Sequence, residues 1–89
     1  MNKTESVAAR LKYIMNQRGL KQVDVLNLAR PYCEKYNVKL AKNYLSQYCS
    51  GKNKPGKDIL NVLSLALDVN PAWLQGFDVP QEFSGAENS

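Results

Sequence analysis

Between Asn43 and Pro55 the sequence reads NYLSQYCSGKNKP, a run whose polar side chains suit pairing with flat hydrogen-bonding edges better than breaking bonds. On a helix from Ala41 to Ser50, the residues Ala41, Leu45, Tyr48 and Cys49 fall at i, i+4, i+7 and i+8 and form an inward face. Lys42, Asn43, Ser46, Gln47 and Ser50 fall on the other side, where an ordinary solvated helix more often carries Glu and Lys pairs. A helix fits the major groove of B-form DNA. Amides such as Asn43 and Gln47 pair bidentately with the adenine edge, and a lysine such as Lys42 suits the guanine acceptors. Gly51 then turns the chain, and Lys52, Asn53 and Lys54 follow where a helix in the groove meets the sugar-phosphate wall. Phosphate contacts fix register and most of the affinity without reading sequence. The segment therefore divides into a base-reading helix and a backbone-gripping loop.

Bond-breaking chemistry finds little to work with. The chain has no histidine, and its acids are scattered one at a time, so no nucleophile and base pair or metal constellation is in sight. No enzyme activity, no metal, no cofactor and no small-molecule ligand are expected. The two cysteines, Cys33 and Cys49, sit in helical patterns and read as reduced, small, buried side chains. RNA binding is disfavoured because the aromatic residues do not form a stacking platform on a sheet.

The net charge of +4 conceals an asymmetry. Residues 1–30 carry six basic and two acidic groups, residues 31–60 the same again, and residues 61–89 four acidic groups and none basic. From Lys39 to Lys57 there are five lysines and no acid. This suits a surface that meets a polyanion while the acidic end is kept away.

The elements that must hold this surface follow from periodicity. Val7, Leu11, Ile14 and Met15 line one face of a helix from Thr4 to Arg18, with Asn2 and Glu5 as a capping box and Gly19 as its stop. A second helix begins near Lys21, with Asp24 in its first turn and Val25, Leu28 and Ala29 inward. Pro31 interrupts the pattern, so PYCEKYN (31–37) is either a kinked extension or a short separate helix. A fourth helix spans Lys57 to Leu67, with Ile59, Val62, Leu63, Ala66 and Leu67 as its stripe. A short fifth is capped by Asn70, opened by Pro71, docked by Trp73 and Leu74, and ended by Gly76. With 89 residues of which 44% are apolar, the chain is the size of one small domain. No run approaches the ~18 apolar residues of a membrane span, and MNKTESVAAR lacks the apolar centre of a signal peptide, so a cytoplasmic protein is expected.

Three stretches, RLKYIMNQRGLKQVDVL, YLSQYCSGKNKP and LSLALDVNPAWLQG, in this order and spacing, resemble the lambda-repressor-like helix-turn-helix family, also called the Cro/repressor or xenobiotic-response-element type. The likeness covers Val7 to Gly76, and NPAWLQGFDVP is similar to the DNA-binding halves of phage-type and LexA-like repressors. The resemblance implies an all-α, compact five-helix bundle whose second and third helices form the helix-turn-helix. It implies a phosphate contact for Gln22, bracing the first reading residue, and base contacts for Lys42, Asn43 and Gln47. Ser50, Lys52 and Lys54 would meet the backbone, with Tyr44 and Ser46 at its edge. It further implies a transcriptional repressor of phage or SOS-response type, or its DNA-binding half, on a pseudo-palindromic operator as a weak homodimer.

The sequence departs from the family twice. About six extra positions separate Ala29 from Lys39, room for an extra helical turn between helices two and three. The family's frequent ion pair between an arginine late in helix one and a glutamate late in helix three is matched by Met15 and Cys49, expected to touch in the core. Residues 1–78 are assigned to the helix-turn-helix domain and 79–89 to a tail or linker with little to bury. The competing reading is a protein-interaction or antitoxin-like adaptor on the same fold, with Tyr32, Tyr36 and Tyr44 as its candidate apolar patch.

Overall fold

The computed structural model describes residues 5–82 and is all-α. Five helices run in order: α1 (Val7–Arg18), α2 (Gln22–Tyr36), α3 (Lys42–Ser50), α4 (Lys57–Leu67) and α5 (Pro71–Leu74). Among the described residues no helix is long and apolar enough to cross a membrane.

The first helix starts later than its periodicity suggested. Ser6 is its N-cap, the side-chain oxygen accepting from the Ala9 N–H at 3.1 Å, which satisfies one of the amides orphaned at a helix start. Helix formation therefore begins at Val7 rather than Thr4; Asn2 and Thr4 lie outside the described residues. Gly19 closes α1 in the left-handed conformation, and the Leu20 N–H reaches back to the Met15 carbonyl at 2.8 Å.

The second helix is continuous through Pro31 and ends only at Tyr36, so the extra residues lengthen α2 rather than forming a helix of their own. Proline removes one N–H and strands the carbonyl four residues back. Here Pro31 and Asn27 both lie on the exposed side of the helix, where water takes up the stranded oxygen. Asn37, at φ 55°, terminates the helix, and Val38 and Leu40 tuck half-buried into the connection to α3.

Packing follows the apolar stripes with two rotations. Val7, Leu11 and Ile14 of α1 are buried as expected, with Met15 packed against them. In α2 the inward set is Val25 and Ala29 with Leu26 alongside, whereas Leu28 is 43% exposed, because the helix turns its Leu26 edge to α4. In α4, Leu60, Val62, Leu63 and Leu67 are buried, while Ile59 and Ala66 are only half-buried at the rim. Ser64 is buried too, its hydroxyl donating to the Asn61 carbonyl at 2.8 Å.

The chain ends of the described region are pinned together. The Glu5 N–H donates to the Gly76 carbonyl at 3.1 Å, and the Asn70 N–H donates to the Gln81 carbonyl at 2.7 Å. Val79 packs against the core, so residues 79–82, read from the sequence as the start of a tail, are tied to the domain. The remaining tail, 83–89, lies outside the described residues.

Candidate nucleic-acid interface

Leu45, Tyr48 and Cys49 are the buried residues of α3, and they hold the helix on α1 and α2. Ala41 does not join them: it is the exposed N-cap residue, one position before the helix, and has left the helical face. Cys49 Sγ lies 3.8 Å from Met15 Sδ, so the two apolar residues standing where the family often pairs ions do touch across α1 and α3. Burial pushes the Cys49 thiol up from its ordinary value of 9.0, with Lys12 pulling weakly the other way. Burial, with a smaller contribution from Tyr44, raises the Tyr48 phenol as well. Both inward groups stay neutral.

With the inward face fixed, Asn43, Ser46, Gln47 and Ser50 follow at i, i+3, i+4 and i+7 and form one outward ridge. Asn43, Ser46 and Ser50 are exposed and Gln47 is half-buried at the helix end nearest the loop. Lys42 flanks the ridge on one side and Tyr44, 46% exposed, on the other. The nine residues of α3 make a rod about 14 Å long at 1.5 Å per residue, slim enough for a groove about 12 Å wide.

The loop beyond α3 is built on the Gln47 carbonyl. That oxygen accepts from the Lys52 N–H at 3.0 Å, the Asn53 N–H at 3.3 Å and the Ser50 hydroxyl at 3.1 Å. Gly51, at φ 82°, permits the reversal. Lys52, Asn53 and Lys54 are all exposed there, beside the ridge. Among the described residues, Lys42, Lys52 and Lys54 have no acidic partner, and their charge faces solvent. Arg18, by contrast, is committed within the fold: its guanidinium donates to the Leu67 carbonyl at the end of α4. Arg10 stacks 4.6 Å from the Trp73 ring.

Gln22 occupies the first position of α2 and is half-buried. Its helix is closed by Asp24, whose carboxylate accepts from the Lys21 N–H at 2.8 Å; the lysine side chain has no acceptor to reciprocate. The sequence-expected residues of α3 and its loop are therefore gathered on one surface, with Gln22 on the neighbouring element. One contact escaped the periodicity argument: the Asn53 Nδ2 donates to Gln47 Oε1. The only signal for it in the sequence is the glycine two residues earlier, which folds the loop back. Of the tyrosines proposed as an adaptor patch, Tyr36 and Tyr44 are exposed and Tyr32 is half-buried.

No protein-family model matches the chain, and no curated protein matches its sequence.

Proposed function

We infer that the chain reads double-stranded DNA through α3 in the major groove and acts as a transcriptional repressor, or as the DNA-binding part of one. The observation that carries this reading is the two-faced character of α3. Leu45, Tyr48 and Cys49 anchor it, and the opposite ridge of Asn43, Ser46, Gln47 and Ser50 is free of acids and flanked by unpaired lysines. Lys42, Asn43 and Gln47 face base edges. Gln22, Tyr44, Ser46, Ser50, Lys52, Asn53 and Lys54 line the backbone on either side.

Selection of sites from random duplex DNA tests the reading. The chain is expected to enrich a motif. Gln47→Ala should lower discrimination between sites by about 1 to 3 kcal/mol, while Lys54→Ala should weaken all duplexes alike and lower the salt slope by about 1. A chain that enriches nothing, or two variants that lose cognate and random duplex equally, would defeat it. An adaptor binding a protein through exposed tyrosines would instead hold its partner with little dependence on salt.

A further inference from the structure

The geometry after α3 does more than deliver lysines to a phosphate wall. Three donors converge on the Gln47 carbonyl, from Ser50, Lys52 and Asn53, and wrap the loop over the last turn of the helix. The wrap returns Asn53, six residues on, to the side chain of Gln47, where its Nδ2 donates to Oε1. An amide has two unlike ends: the oxygen only accepts and the NH2 group only donates. With Oε1 engaged by Asn53, the Nε2 of Gln47 is the end without a protein partner among the described residues.

We propose that Asn53 is a positioning residue that holds the Gln47 amide with its NH2 group turned toward DNA, so that position 47 selects a base edge carrying acceptors. Guanine presents N7 and O6 side by side to such a donor, whereas adenine sets its N6 donor beside N7 and needs a free amide oxygen. The bidentate adenine contact expected of an isolated glutamine is thereby replaced by a guanine preference. The proposal rests on the DNA-reading function above and adds to it the chemical class of edge read at one position. Its physical basis is the penalty for facing donor to donor: a buried, unpaired donor on either partner costs about 1 to 3 kcal/mol. Asn53 acts through Gln47, and its exposed place in the loop leaves the core untouched.

The test is selection from random duplex DNA with the full chain and three variants. Gln47→Ala identifies the base pair that residue reads, as the position where preference disappears. Wild type should favour guanine there by about tenfold. Asn53→Ala frees the amide to turn either way and should flatten that preference while leaving the other positions of the motif unchanged. Asn53→Asp offers an acceptor in place of a donor, so the Gln47 NH2 turns inward and Oε1 outward. The preferred base should then change to adenine or cytosine, whose exocyclic amines donate. The added negative charge of Asp lowers affinity for all duplexes but cannot by itself exchange one base for another. If wild type enriches a motif and both Asn53 variants keep the same base at the Gln47 position, the positioning role is overturned and DNA reading stands. If wild type enriches no motif, both fall.

Discussion

Gly76 shows how closely two strands of chain can meet in a domain of this size. Its φ of 106° is one that side chains rarely adopt, and a Cβ added there would sit 1.9 Å from the Glu5 carbonyl oxygen. Gly76→Ala must therefore shift the backbone at the junction of α1 and α5, and it should destabilise the protein by at least about 2 kcal/mol in a urea melt. Gly51 is different: a Cβ there meets only the Ala8 Cβ at an ordinary 3.6 Å, so its need for glycine is conformational alone. The Met15 and Cys49 contact carries a pH dependence. The folded thiol is held above its ordinary 9.0, so its contribution is complete at neutral pH. As pH rises past 9.0, the unfolded thiol ionises while the folded one stays neutral, and stability falls. Cys33 and Tyr48, raised in the same direction, add to that alkaline loss. Urea midpoints measured from pH 7 upward should be level at first and decline above about pH 9, with a shallower decline in Cys49→Ala.

Among the elements, α3 is the one whose local sequence serves its own helix least. Its N-cap is Ala41, which has no side-chain oxygen to offer, no acid stands in its first turn, and Lys42 places a cation at the positive end of the backbone dipole. Ala41 already has the extended backbone of a cap, at φ −91° and ψ 158°, so Ala41→Ser should raise stability by about 1 kcal/mol. An unfolding midpoint that does not rise would show that this helix start is satisfied in another way. What holds α3 is its inward face, and Leu45→Ala should cost about 2 to 5 kcal/mol and release the ridge with it. These elements also mark how far the sequence could be read. The existence and order of the helices, the α4 bounds and the Met15 to Cys49 contact were legible because apolar spacing and glycine stops are local signals. The choice of Leu26 over Leu28 as the buried neighbour in α2 was not, because a helix with apolar residues on adjoining edges is rotated by its partner, here α4. Ser6 was passed over as a cap because Asn2 and Glu5 offered a competing box. Pro31 left two outcomes open because a proline on the wet side of a helix breaks less than one facing the core. The ridge residues of the candidate site followed from periodicity, whereas the clasp of Asn53 on Gln47 depends on a loop reversal that periodicity does not describe.

At the scale of the molecule, charge and dimensions shape the functional reading. The lysines from Lys39 to Lys57 surround α3, and Asp68, Asp78 and Glu82 lie on the elements after it. An interface that neutralises several phosphates through Lys42, Lys52 and Lys54 should lose affinity steeply with salt, with a slope of about −0.9 per phosphate contacted. A flat salt dependence would point instead to an adaptor. The molecule extends 31 × 29 × 25 Å, close to the roughly 34 Å separation of half-sites one helical turn apart. Two copies on such a pseudo-palindrome would meet only edge to edge, in keeping with a homodimer that is weak off DNA. The central claim, that the ridge of α3 is the surface that enters the groove, is tested most directly by nuclear magnetic resonance. A duplex recovered by site selection would be titrated into labelled protein while the side-chain amides of Asn43, Gln47 and Asn53 are followed. The account predicts that these signals, and the backbone of α3 through Lys54, move furthest, with Tyr13, Trp73 and α4 nearly still. Large shifts around Tyr13 and Trp73, with the α3 amides unmoved, would contradict it.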